Sequence, residues 1–308
     1  MSVAFCFPGQ GSIEAGMGRD IAEAFPAVRD IYRRGSEASG LDLERLCFEA
    51  DQEELVDTAV QQPALVATSI AFLHAVKEKF GIVPDVVVGH SVGEFAALAA
   101  AGAMTIEEAI ALVRERGIAM AEAARAKPGS MAAILGLEDE VVEQLCRKIL
   151  GVWPANYNCP GQIVVSGENP AVDECIELAQ EAGARRAVKL KVSGAFHSPL
   201  VARAAERLRP AVEKVHFTEP IAPFMSTVTA RIESAQRMAP LLVDQLTAPV
   251  RFTQAASELM KSGVHTFVEV GPGNVLSGLV KRIDRTAKAI SVNSLAALEK
   301  LPDALADS

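Results

Sequence analysis

Five residues, Gly89-His90-Ser91-Val92-Gly93, stand between an apolar run, Val86-Val87-Val88, and an alanine-rich helical stretch from Glu94 to Ala101. A strand that feeds straight into a helix leaves its linking turn almost no room. The G-x-S-x-G pattern is one way to make such a turn with a serine at its tip. The two glycines let the backbone bend sharply and let the helix approach the strand. Ser91 is then held with its hydroxyl outward, above helix N–H groups that lack intrahelical partners and carry partial positive charge. That setting suits a nucleophile whose attack creates an oxyanion. An ordinary strand-to-helix turn uses the same residues, so the motif alone does not establish catalysis.

Around the turn, short β-like runs alternate with longer helical patterns, the signature of an α/β chain with parallel strands. The runs are Val3 to Phe7, Val86 to Val88, Ile221 to Ser226 and His265 to Val270. The first ends in Pro8-Gly9-Gln10-Gly11-Ser12 and the last in Gly271-Pro272-Gly273. Glycine-rich turns after strands mark the sheet edge where ligands bind. Residues 128–196 follow another rhythm. Met131 to Gly136 reads as a strand, Glu138 to Leu150 as a helix and Val152 to Asn156 as a strand. Pro160-Gly161 then turns into a strand from Gln162 to Ser166, a helix from Pro170 to Ala182 and a strand from Ala187 to Val192. That βαββαβ order predicts a small ferredoxin-like subdomain. It would be inserted into a large parallel-sheet, α/β-hydrolase-like domain made of residues 1–127 and 197–308, with a cleft between the two. The last residues, Leu301 to Ser308, are expected to fray.

Composition narrows the function classes. A formal net charge of −9 argues against a nucleic-acid partner. No apolar run approaching the roughly 18 residues that span a bilayer is expected, and Met1 to Phe7 carries no basic stretch of a secretory leader. The five scattered cysteines include no C-x-x-C pair. They fit a reducing cytoplasm, with neither a disulfide framework nor a zinc site. Neither a metal nor a cofactor is expected.

A serine nucleophile needs a base. His74 sits in a helical pattern, while His216 and His265 open β-like stretches. His90 adjoins the serine, and neighbours on a tight turn tend to point apart, which suggests a positioning role. His197 follows the last strand of the insert, where the chain returns to the body at the rim of the cleft. His197 and His265 therefore remain the two candidates. An arginine also stands out. Thr105 and Glu108 form a capping box, and along the helix it starts, Ala109, Leu112, Arg116 and Met120 share one face. A guanidinium on an apolar stripe must find an anion, either a protein carboxylate or a substrate's. Arg114 competes, flanked by Ile110 and Ile118, and spacing leaves the choice open.

Six stretches in order now resemble the malonyl-CoA:acyl-carrier-protein transacylases. They are Pro8-Gly9-Gln10-Gly11-Ser12, Gly89-His90-Ser91-Val92-Gly93-Glu94, Arg116-Gly117, Gly194-Ala195-Phe196-His197-Ser198, Gln245-Leu246-Thr247-Ala248-Pro249-Val250 and Glu269-Val270-Gly271-Pro272-Gly273. Together they span nearly the whole chain. The resemblance implies that Ser91 accepts the acyl group, that His197 is its base, and that the N–H groups of Gln10 and Val92 form the oxyanion hole. It further implies that Arg116 binds the malonyl carboxylate and that the Gln245 carbonyl orients His197. His90, Asn158 and Phe196 would line the cleft, Phe196 leaving little room for a branched acyl group. Val92 departs from the family's usual leucine, a change that leaves a backbone donor in place. The implied substrates are malonyl-CoA and an acyl carrier protein, for fatty-acid or polyketide synthesis, in the cytoplasm. An α/β-hydrolase esterase, with His265 as its base, and a non-catalytic carrier-binding protein are the alternatives.

Overall fold

The computed structural model describes residues 2–306. Its strands, in chain order, are β1 (Ser2–Phe7), β2 (Val86–Gly89), β3 (Ser130–Leu135), β4 (Val152–Cys159), β5 (Gln162–Gly167), β6 (Arg186–Lys189), β7 (Phe224–Ser226), β8 (Arg231–Glu233), β9 (Val250–Arg251), β10 (Val264–Val270) and β11 (Lys288–Val292). The larger sheet has the order β11-β10-β1-β2-β7-β8. Its pairs are parallel except β7 with β8, a short antiparallel edge. Strands β1 and β2 lie at its centre and read as unbroken apolar runs because helices cover both faces.

The smaller sheet has the order β6-β3-β5-β4-β9. Its first four strands are mutually antiparallel and keep the ferredoxin-like order expected from the βαββαβ pattern. Alternation along the strands explains its two faces. Ala132, Ile134, Ile163 and Val165 pack under the helices Asp139–Lys148 and Asn169–Glu181. Met131, Ala133 and Val164 point the other way and join the core of the large body. The sequence reading had no counterpart for β9, which pairs parallel with β4 and stitches the body to the small sheet. Strands β8 and β11 were also missed; each lies at a sheet edge, where a short, half-exposed strand leaves no apolar period to read.

One long helix bears on the membrane question, and one further expectation, at the C-terminus, needs correcting. The helix Thr58–Phe80 is long and apolar enough, on average, to cross a membrane, yet 83 % of its most apolar window is buried inside the protein. Gln62 and Thr68 on it bond to other buried groups, so it is a core helix. The C-terminal segment is not frayed over its described part. Leu301–Ala306 is helical because Leu301 is fully buried and Leu305 packs against the same core; Asp307 and Ser308 lie outside the described residues.

Candidate active site

Steric necessity builds the turn after β2. A Cβ on Gly89 would stand 2.1 Å from the Gly93 carbonyl carbon, and one on Gly93 would stand 2.1 Å from the Phe7 carbonyl oxygen. Neither position accepts any other residue without moving β1 or the helix Gly93–Ala100. Between them Ser91 is held at φ 53°, in the left-handed region. His197 shares that conformation at φ 56°, with Ala230 the one other described non-glycine residue at positive φ. Each such residue costs on the order of 1–3 kcal/mol, a strain that concentrates where function demands a particular aim.

The two strained residues meet. Ser91 Oγ lies 2.8 Å from His197 Nε2, both groups buried. His197 follows a turn pinned by Ser198, whose hydroxyl donates to the Ala195 carbonyl and accepts from the Leu200 N–H. Its other nitrogen, Nδ1, faces the carbonyls of Gln245 at 2.9 Å and Ala248 at 3.2 Å. Two acceptors can be met only by an N–H, so Nδ1 carries the proton and Nε2 presents a lone pair to the serine. The Gln245 carbonyl is free for this because Gln245 ends the helix Ala235–Asp244, where the last carbonyls have no intrahelical donor. Of the rival bases, His265 is exposed near the start of β10. Sheet register puts that end roughly 15 Å along the strand from Gly89. His216 is also exposed, and His74 pairs with Glu78 on a helix surface.

The arginine question is also decided by packing. Gly117 lets the capping-box helix Ile106–Ala126 approach the start of Thr58–Phe80 so closely that a Cβ would stand 2.6 Å from the Thr58 carbonyl. Arg116 is thereby fully buried, with Nη2 at 3.1 Å from Ser91 Oγ and 3.0 Å from Gln245 Oε1, and Nη1 at 2.6 Å from Gln62 Oε1. Its Nε has no partner among the described residues. Arg114 is half-buried and donates to the Ala59 carbonyl instead. Among the described residues every hydrogen-bond partner of the Arg116 guanidinium is a neutral oxygen, and the Phe95 ring lies 5.8 Å from its Cζ.

Above this floor opens a cavity of about 220 Å³ between the two sheets. Gln10, His90, Ser91 and His197 line it from the body, Met131, Asn158, Val164, Leu190 and Phe196 from residues 128–196, and Val275 and Leu279 from the helix Val275–Ile283. His90 Nε2 meets Asn158 Oδ1 at 2.9 Å, joining the elbow to β4. The side chain of Gln10 is tied to Thr58 Oγ1 and Gln61 Oε1, both at 2.7 Å, which anchors the turn after β1. Val92 packs its side chain into the core. Among the described residues neither its N–H nor that of Gln10 has a protein acceptor.

Residues 4–301 match the acyl transferase domain family. The chain is 44 % identical over 302 residues to malonyl CoA-acyl carrier protein transacylase of Bacillus subtilis, covering 96 % of this chain and 95 % of that one. It belongs to the malonyl CoA-acyl carrier protein transacylase family. The corresponding protein of Haemophilus influenzae is 39 % identical, with 98 % of both chains covered. Among solved structures, the Streptococcus pneumoniae enzyme superposes with a TM-score of 0.93 at 42 % identity, covering 98 % of this chain and 99 % of that one. A malonyl-transacylase in complex with a type II PKS acyl-carrier protein gives 0.95 at 39 % identity over the full length of both chains.

Two polar residues of this acyltransferase's site were given no role by the sequence, although Glu94 closes the elbow motif. Gln62 holds Arg116, and Glu94, fully buried, bonds to Gln245. Both left the same trace, a polar residue within an apolar helical run. Electrostatics of the acyltransferase site favour a neutral imidazole. Burial first, then the Arg116 charge, push the His197 pKa down from 6.5 to about 3, against the opposing pull of the two carbonyls. Because the folded value lies below the unfolded one, the unfolded chain takes up the proton first as pH falls. Stability from this group is therefore complete above 6.5 and is lost progressively toward about 3. Between about pH 7 and about pH 4 the wild type should lose about 3 kcal/mol more stability than a His197→Gln variant, read by urea unfolding at both values. Equal losses would show that His197 is not held neutral by its surroundings.

Proposed function

We propose that the protein moves a malonyl group from malonyl-CoA to the phosphopantetheine thiol of an acyl carrier protein through a malonyl ester on Ser91. The observation that carries this reading is the position of Ser91 Oγ, at once 2.8 Å from the lone pair of His197 Nε2 and 3.1 Å from Arg116 Nη2. A base alone would serve any acyl group. A buried cation beside the nucleophile, with an unpartnered Nε and only neutral ligands, calls for an acyl group that carries its own carboxylate.

In the first half-reaction Ser91 Oγ attacks the thioester carbonyl while its proton passes to His197 Nε2. The tetrahedral oxyanion is met by the N–H groups of Gln10 and Val92. Collapse breaks the C–S bond, and the imidazolium returns its proton to the CoA sulfur. In the second half His197 takes the proton of the carrier thiol, the sulfur attacks the serine ester, and the proton goes back to Ser91 Oγ. One site serves both halves in turn, which gives ping-pong kinetics. The Gln245 carbonyl holds the Nδ1 proton throughout, the part an aspartate plays in a Ser-His-Asp triad.

The surroundings support the same reading. Phe196 walls the cavity close to His197. Lys191 adjoins the cavity residue Leu190, and Lys281 and Arg282 follow the cavity residue Leu279, so positive charge lies near both sides of the cavity for an acidic carrier, whereas Lys189 is paired with Asp173. We take residues 128–196 as the inserted lobe and 1–127 with 197–308 as the catalytic body. Five buried, unpaired cysteines suit a reducing cytoplasm. An esterase relying on His265 is disfavoured by that residue's exposure at the opposite end of the sheet.

Incubation with malonyl-CoA and intact-mass analysis should show one malonyl adduct, mapped to the peptide containing Ser91. Addition of a phosphopantetheinylated carrier protein should discharge it. Carriers from fatty-acid and polyketide synthesis, compared as acceptors, separate the two pathways. Absence of the adduct, or its location elsewhere, overturns the proposal.

A further inference from the structure

Glu94 is a buried carboxylate that the mechanism above does not use. It is the second residue of the elbow helix and is fully excluded from solvent. One of its oxygens accepts from the Thr227 N–H at 2.5 Å and from the Thr227 hydroxyl at 2.9 Å. The other accepts from Gln245 Nε2. Each of these partners is a donor, so the site is built for a group that only accepts. No lysine or arginine touches it directly among the described residues, although the Arg116 charge feels it and is held up by it against the effect of burial.

The side-chain amide of Gln245 stands between Glu94 and Arg116. Its Nε2 donates to Glu94 and, at 3.0 Å, to the Ser91 carbonyl, while its Oε1 accepts from Arg116 Nη2 at 3.0 Å. An amide has nearly the same shape when turned over, so shape does not choose between its two orientations. Turned over, it would set an NH₂ against the guanidinium and an oxygen against two other oxygens. Burial pushes the Glu94 carboxyl pKa up, against the pull of the donors around it; the oxygen that accepts from Gln245 Nε2 works with the Ser91 carbonyl to hold the orientation that aims Oε1 at Arg116.

We propose that Glu94 is a positioning residue for acyl-group selectivity, acting through the Gln245 amide to keep the Arg116 guanidinium aimed at the carboxylate of the acyl group. The inference rests on the malonyl-transfer reading. It adds a source of specificity two residue contacts away from the substrate.

The test is the ratio of kcat/KM for malonyl-CoA to that for acetyl-CoA, read as acyl-enzyme formation by intact mass. Glu94→Gln keeps size and shape. Its oxygen stays with the fixed Thr227 N–H, so its NH₂ faces Gln245 Nε2 and withdraws the acceptor that helps to hold that amide, leaving only the Ser91 carbonyl and Arg116 to orient it. The ratio should fall ~10- to 100-fold, the loss expected for one misdirected charge-assisted contact. Gln245→Met removes the amide and keeps the backbone carbonyl used by His197; it should lower the ratio to a similar degree. The double variant should be no worse than the poorer single one, because both act on one relay. A ratio that stays within threefold of wild type in folded Glu94→Gln overturns the proposal, as does a loss shared equally by both acyl groups. Should Glu94→Gln not fold, an unchanged ratio in Gln245→Met overturns it instead. Wild-type protein with no preference for malonyl-CoA would count against the malonyl-transfer reading itself, a result distinguishable from either.

Discussion

A Ser91→Ala variant forms no malonyl adduct, and transfer to the carrier protein falls by about 10⁴-fold or more. The expected size follows from what the substitution removes. In the proposed mechanism both half-reactions pass through the Ser91 oxygen, so its removal takes away the acceptor that His197 serves. The oxyanion donors and the Arg116 charge would remain, and they account for whatever residual rate survives. The fold should survive too. Alanine meets the same backbone cost at φ 53° as serine does, and Gly89 and Gly93 still make the close approaches that fix the elbow. Melting temperature should therefore stay within a few degrees while activity disappears. Adduct formation at more than a tenth of the wild-type rate would place the nucleophile elsewhere.

Arg116→Ala is expected to have the next largest effect. Losing the desolvated, charge-assisted contact proposed for the malonyl carboxylate costs about 3–4 kcal/mol, equivalent to a fall of roughly 10²- to 10³-fold in kcat/KM for malonyl-CoA. Acetyl-CoA has no carboxylate to lose, so preference between the two should collapse or invert. Lysine at 116 should restore little, because it lacks the planar fork that meets Gln62, Gln245 and Ser91 together. A second consequence separates charge from packing. Arg116 helps to hold the His197 pKa down, so removing it should raise that pKa and move the acid limb of the rate profile upward. A variant with unchanged malonyl preference and an unmoved profile would exclude Arg116 from the site.

The elbow was legible because its constraints are local. Strand, turn and helix lie within about a dozen residues, and the two glycines answer contacts that any strand-to-helix bend of this sharpness must make. The capping box at Thr105 was legible for the same reason, its two bonds closing within one turn. The ferredoxin-like order of β3 to β6 followed from period-two runs separated by turn residues. By contrast, β9 consists of two residues whose partner lies about ninety positions earlier, and nothing in its composition announces the pairing.

The site divides along the same line. Ser91 and the candidates His197 and Arg116 could be named from residue type and context, but spacing left His265 and Arg114 open. The fold puts His265 at the end of β10 away from Gly89, while the close helix approach at Gly117 buries Arg116 beside Ser91 and Arg114 donates to the Ala59 carbonyl instead. Glu94 and Gln245 are 151 residues apart and meet only through folding. What the chain determined by itself, therefore, was the chemistry present and each short-range conformation that sterics enforce. Which imidazole faces the hydroxyl, which guanidinium loses its water and which way an amide points were decided only by tertiary packing. Those outcomes depend on distances of a few ångströms between segments whose order along the chain does not specify them.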